Sequence, residues 1–148
     1  MTENTRSGRI LGVDLGSRRI GLALSDPLGL TAQPLPTLQA EAWDADVENV
    51  ARIAAERQAE AVVVGLPLRM NGTAGPEARR AERFAEALRE KTRLPVHTWD
   101  ERLTTVESER ALIAAGVRRK KRRAAIDSAA SLLILQGFLD RRRSQSSA

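Results

Sequence analysis

Ile10-Leu11-Gly12-Val13-Asp14-Leu15-Gly16 is a short apolar run with one acid inside it, closed by a glycine. As a strand it puts Gly12 and Asp14 on one face and Leu11, Val13 and Leu15 on the other. An ionised carboxylate left unpaired in such a strand costs several kcal/mol, so Asp14 needs a partner. Its face carries little bulk beside the acid, which leaves room for a close approach. The partner expected there is a divalent metal ion, with two further acids, Glu101 and Asp127, arriving from far along the chain.

The chain of 148 residues is of single-domain length, enough for one core without staples. It has no cysteine, which excludes disulfides, thiolate zinc sites and cysteine nucleophiles, and its one histidine, His97, argues against chemistry that needs several imidazoles. No apolar run approaches the roughly 20 residues needed to span a bilayer, so no membrane role and a cytoplasmic location are expected. The net charge of +5 is concentrated in six consecutive bases, Arg118-Arg119-Lys120-Lys121-Arg122-Arg123; setting these aside leaves 18 bases against 19 acids. A patch of that kind reads as a surface for a polyanion, and the usual polyanion is nucleic acid. With two Trp, two Phe and no Tyr there is little for a base-stacking platform, so backbone and shape recognition fits better.

Arg9 to Leu15 forms a first strand, and Arg19 to Ser25 a second, alternating bulky Ile20, Leu22 and Leu24 with small Gly21, Ala23 and Ser25. Asp26-Pro27-Leu28-Gly29 is turn chemistry, and Thr31 to Thr37 returns as a third strand that Pro34 and Pro36 confine to an edge. Val47, Val50, Ala51 and Ala54 recur at helical spacing over Asp44 to Gln58, with Asp44 as cap. Ala61 to Gly65 is β-branched and apolar on both faces, the mark of an interior parallel strand. After a loop from Leu66 to Gly75, a helix runs from Pro76 to about Thr92, and Val96 to Asp100 is a fifth strand. Thr104-Thr105-Val106-Glu107 opens a helix ending at Gly116, and Ala124 to Leu139 forms a last, buried helix. The expected fold is α/β: a mixed five-stranded sheet, three strands in an antiparallel meander plus two parallel strands, with helices on both faces. Residues 1–8 are expected to be a flexible N-terminus, 9–140 a single domain, and 141–148 a disordered basic tail.

Asp127 lies in the buried last helix, on a stripe with Ala130, Ser131 and Ile134, small enough at its start to let the helix lie against the Gly12 and Asp14 face. Glu101 follows the fifth strand at its carboxyl end, where a parallel sheet places its sites. Three or four acids in a nearly dry pocket repel one another unless protons or metal neutralise them. Oxygen ligands select hard ions, hence Mg²⁺ or Mn²⁺, and a pair of such ions can activate water and stabilise a leaving oxygen in phosphodiester hydrolysis. Taken singly, the acids have plainer readings: Asp14 beside a turn, Glu101 as an ion-pair partner of Arg102, and Asp127 as a first-turn helix charge.

Gly12-Val13-Asp14-Leu15-Gly16-Ser17-Arg18-Arg19-Ile20-Gly21, Val64-Gly65-Leu66-Pro67 with Met70-Asn71-Gly72 and Gly75, Asp100-Glu101-Arg102-Leu103-Thr104-Thr105, and Lys121 with Asp127-Ser128-Ala129-Ala130 and Ile134-Leu135-Gln136 resemble the bacterial YqgF/RuvX family. The resemblance covers about residues 9 to 140. It implies a ribonuclease H-like fold and a metal-dependent nuclease, of a family described both as candidate Holliday junction resolvases and as nucleases maturing the 5′ end of the small-subunit ribosomal RNA precursor. By motif, Asp14, Glu101 and Asp127 are the metal-binding catalytic acids it implies; Asp100 is a further candidate. Arg18 and Arg19 stand close enough after the first strand to hold a phosphate, with turn solvation as the alternative. Arg69 and the helix start after the Leu66 to Gly75 loop suit a loop that closes over substrate. His97 and Trp99 read as packing residues. Two other functions compete: a noncatalytic nucleic-acid-binding module, and a nucleotide-binding domain of the actin and Hsp70 ATPase type, whose phosphate loop the Gly12 to Gly16 stretch also resembles. Junction resolution needs two symmetric cuts and would favour a homodimer.

Overall fold

A computed structural model of the chain describes residues 8–103 and 129–146. Asp127, the basic run 118–123 and the helix expected over 104–116 lie outside the described residues. The elements are β1 (Arg9–Leu15), β2 (Arg19–Ser25), β3 (Ala32–Gln39), α1 (Trp43–Glu56), β4 (Ala59–Leu66), α2 (Pro76–Thr92), β5 (Val96–Asp100), a 3-10 turn (Glu101–Leu103) and α3 (Ala129–Ser146). The strands form one sheet in the order β3-β2-β1-β4-β5, antiparallel across β1, β2 and β3 and parallel from β1 to β4 to β5. The mixed five-stranded sheet is therefore as the sequence implies. β3, with its two prolines, is at an edge, where a missing N–H costs no ladder bond.

Strand alternation sorts the side chains into two cores. Leu11, Val13, Ile20, Leu22, Val62 and Val64 face α1 and α2, packing with Val50, Phe84 and Leu88. Ile10, Ala23, Ala61, Val63 and Trp99 face the other way and are covered by Leu132, Leu135 and Leu139 of α3. Each large side chain so buried contributes about 1.5–3 kcal/mol. The second face is the one with small residues, and α3 comes close to it: a methyl group on Gly12 would stand 2.8 Å from Leu135 Cβ, and one on Gly21 3.3 Å from Ser131 Oγ. Ser25 and Gln136 supply the buried polar ties on this side. Ser25 Oγ accepts from Ile10 N–H at 2.8 Å. Gln136 accepts from Ala32 N–H and donates to Leu30 O, both at 3.1 Å, clamping the β2–β3 connection to α3.

Of the element ends that differ from expectation, three are informative. α1 starts at Trp43 after Ala42, which makes no side-chain cap, so Asp44 is inside the first turn rather than the cap. Buried Asp46 does the bonding instead, accepting from Glu41 N–H at 2.8 Å. β3 continues past Thr37 because Leu38 and Gln39 still pair with Ile20 and Arg19. α3 runs on to Ser146, through residues expected to be a disordered tail. Local pairs support that extra length: Asp140 accepts from Gln136 and pairs with Arg143, and the Arg142 guanidinium lies 5.7 Å from the Phe138 ring centroid. Among the described residues no helix is long and apolar enough to cross a membrane.

Candidate active site

Two of the three predicted acids meet at the carboxyl ends of the parallel strands. Val13 of β1 pairs with Val64 of β4, so Asp14 and Gly65 are the next residues of neighbouring strands. Leu66 pairs with Asp100, which puts Glu101 just beyond the end of β5. Between β1 and β5 stands Gly65, and its missing side chain decides the geometry. A methyl group there would lie 2.9 Å from Glu101 Oε2 and run into Ile134 of α3. The Glu101 carboxylate thus lies over Gly65 of β4, on the face that carries Asp14 and beside Ile134 of α3.

Electrostatics shows the same convergence. Burial raises the Asp14 carboxyl above its usual range. Glu101 is pushed up to about 7, by burial first and then by the negative fields of Asp14, Asp100 and Glu77. Asp100 behaves oppositely: the Arg102 guanidinium bonded to it holds its carboxyl low, despite a small opposing effect of burial. Arg102 donates from Nη2 to Asp100 Oδ2 at 2.7 Å and from Nε to both carboxylate oxygens at 3.1 Å. The expected alternative of a Glu101–Arg102 ion pair is thereby corrected: Arg102 is bonded to Asp100. Two carboxyl groups raised by burial, Glu101 further by the charge of Asp14, are a donor set whose ionised forms a cation would stabilise. Among the described residues no three metal-ligating groups come together. Asp127, the third expected acid, lies outside them.

The predicted basic residues have different settings. Arg18 and Arg19 are exposed in and after the β1–β2 turn, and Arg18 O accepts from Ala40 N–H. Arg69 is exposed too, its guanidinium lying against Gly75, the residue that precedes α2, so that a methyl group there would stand 3.1 Å from its Nε. Arg118, Arg119, Lys120, Lys121, Arg122 and Arg123 lie outside the described residues. Trp99 is buried under α3 and the exposed ring of His97 rests 5.1 Å from Phe138, which fits their reading as packing residues. Sequence reasoning missed Glu77, in the first turn of α2, whose charge reaches Glu101. It also missed Arg80, which donates to Gly16 O at 3.3 Å and ties α2 to the turn after Asp14. A proline-started helix directly after the loop was the available signal for both.

A family model described as "RuvX: Holliday junction resolvase" matches residues 8–141. The chain belongs to the RuvX family. A Geobacillus kaustophilus member is 51% identical over 137 residues, covering 91% of this chain and 99% of its own length. One from Clostridium kluyveri is 45% identical over 133 residues, covering 90% and 97%. Both are provisionally named as pre-16S rRNA nucleases. Among solved structures, T. thermophilus RuvC in complex with Holliday junction substrate aligns with a TM-score of 0.65 at 16% identity, over 93% of this chain and 96% of that one. The fowlpox virus Holliday junction resolvase aligns with a TM-score of 0.53 at 15% identity, over 89% and 98%. These likenesses establish the ribonuclease H-like fold, and RuvX membership makes the chain a nuclease, a hydrolytic enzyme rather than a binding module or an ATPase domain.

Proposed function

We propose that this RuvX protein is a divalent-metal-dependent endonuclease acting on structured nucleic acid, with Asp14, Glu101 and Asp127 as its metal-binding catalytic acids. The supporting observation is the Glu101 carboxylate laid across Gly65 beside Asp14, both acids raised above their ordinary range. Such a pair fits a hard cation, since oxygen-only ligands suit Mg²⁺ or Mn²⁺ and a cation offsets the burial and like-charge repulsion that disfavour the ionised carboxylates. The bound ion would supply an activated water and charge stabilisation at the leaving oxygen. The chain's own part is positional. β1 and β5 fix the two carboxylates, α3 closes the face behind them against water, and Arg80 holds the β1–β2 turn that carries Arg18 and Arg19. Arg18, Arg19, Arg69 and the run from Arg118 to Arg123 are the proposed phosphate contacts, positioning the backbone without reading sequence.

The relatives' names favour precursor 16S ribosomal RNA as substrate. The family model's description favours a Holliday junction, which would require two symmetric cuts and hence a homodimer. The test is a side-by-side digestion of a four-way DNA junction and a structured precursor rRNA at matched salt, in Mg²⁺ and in Mn²⁺. Cleavage should fall roughly 10²–10³-fold in Asp14→Asn, Glu101→Gln and Asp127→Asn while binding survives. Unchanged cleavage in these variants would reject the site, and the preferred substrate decides between the two roles.

A further inference from the structure

The turn after β4 is stiff and holds an apolar side chain in solvent. Gly72 N–H donates to Arg69 O at 2.8 Å, and Arg69 N–H to Thr73 O at 3.0 Å. Asn71 Oδ1 accepts from both the N–H and the hydroxyl of Thr73, at 3.0 and 2.7 Å. Gly72 closes the turn at φ +87°, a left-handed value suited to glycine. At its tip Met70 is 92% exposed. A lone surface methionine would need no explanation. This one is tied to the proposed site: Arg102 donates from Nη1 to Met70 O at 3.3 Å while its other nitrogens grip Asp100. Arg102 directly follows Glu101, so one guanidinium sets the position of the turn relative to the acid.

We infer that Met70 is a wedge residue that inserts between stacked bases beside the scissile phosphate, on a turn held in place by Arg102. The inference rests on the nuclease reading above and adds to it a residue that acts on base stacking. Apolar side chains, methionine among them, enter base steps and unstack them. Methionine suits the task, being unbranched and polarisable. A turn held by its own bonds keeps the backbone under Met70 in place before substrate arrives, so only the side chain remains to be ordered on binding. Arg102 acts here as a positioning residue through Met70, touching no base itself.

The probes are an RNA hairpin and a four-way DNA junction, each carrying 2-aminopurine next to its mapped cleavage site, whose fluorescence rises when the base is unstacked. Bound to protein carrying Asp14→Asn, at least one probe should brighten about twofold or more. Adding Met70→Ser should leave the signal flat with the nucleic acid still bound, and Met70→Leu should keep the rise. In the cleaving protein, Met70→Ser should lower the ratio of hairpin or junction cleavage to single-strand cleavage about fivefold or more, a ratio that a merely structural loss would not move. An equal rise with and without Met70→Ser, or no rise in either case, overturns the wedge. Absence of cleavage by the unmodified protein overturns the nuclease reading and the wedge that rests on it, whereas cleavage without Met70-dependent brightening overturns the wedge alone. Brightening of only the RNA or only the DNA probe supports the wedge and shows which stacked substrate the turn engages.

Discussion

At Gly65 the absence of one side chain lets a carboxylate from beyond β5 lie over β4, on the face that carries Asp14. Gly65→Ala should therefore damage the protein twice: the methyl group meets Ile134 and crowds Glu101, costing about 1–3 kcal/mol in urea unfolding, and cleavage should fall with it. Glu101 carries a pH signature as well. Its carboxyl is raised from 4.5 to about 7 in the ion-free protein, so between those values the folded state holds a proton that the unfolded state has released. Stability should fall as pH rises through that window, and Glu101→Gln should remove this part of the slope. Urea midpoints in chelator across the window check it, and added Mg²⁺ should flatten the slope in the unmodified protein. Asp14 was legible in the sequence because an acid in an apolar strand is an anomaly whatever its partner. The Arg102–Asp100 bond was not, since Arg102 follows both acids in sequence and only the backbone course of the 3-10 turn decides which carboxylate its guanidinium meets.

Among the elements, α3 carries the most consequence. Its docking depends on the small residues Gly12, Gly21 and Ala23 beneath it and on Gln136 at its middle. Replacing Gln136 by Leu leaves the buried Ala32 N–H without its acceptor and frees the β2–β3 connection; a loss of about 1–3 kcal/mol is expected in chemical unfolding. Alternation of bulky and small residues in β2 made the two faces readable from sequence, and the β-branched run of β4 made it interior. Element ends were less legible. Asp44 has the chemistry of a cap, but the chain enters α1 at Ala42 because Asp46, one turn in, already satisfies Glu41 N–H. The Arg- and Ser-rich composition after Asp140 suggested disorder, whereas i,i+3 and i,i+4 pairs carry the helix forward.

For the molecule as a whole, the order of patterns was enough to give the sheet: a meander with turn chemistry, then strands separated by helical periods, allows few topologies. What composition could not supply is how the basic run meets its partner. If residues 118–123 touch phosphate, changing all six to alanine should weaken binding and reduce the salt dependence by a slope of about 0.9 for each duplex phosphate no longer neutralised. An unchanged slope in a salt titration would take the run out of the interface. Finally, α3 is separated from the meander it covers by all of α1, β4, α2 and β5 in sequence. While the ribosome is still making it, the emerging sheet has Ile10, Val63 and Trp99 uncovered, and the acids lack the wall that excludes water. Until α3 docks, that face of the sheet is thus sticky, and the two carboxylates lack the helix that flanks them.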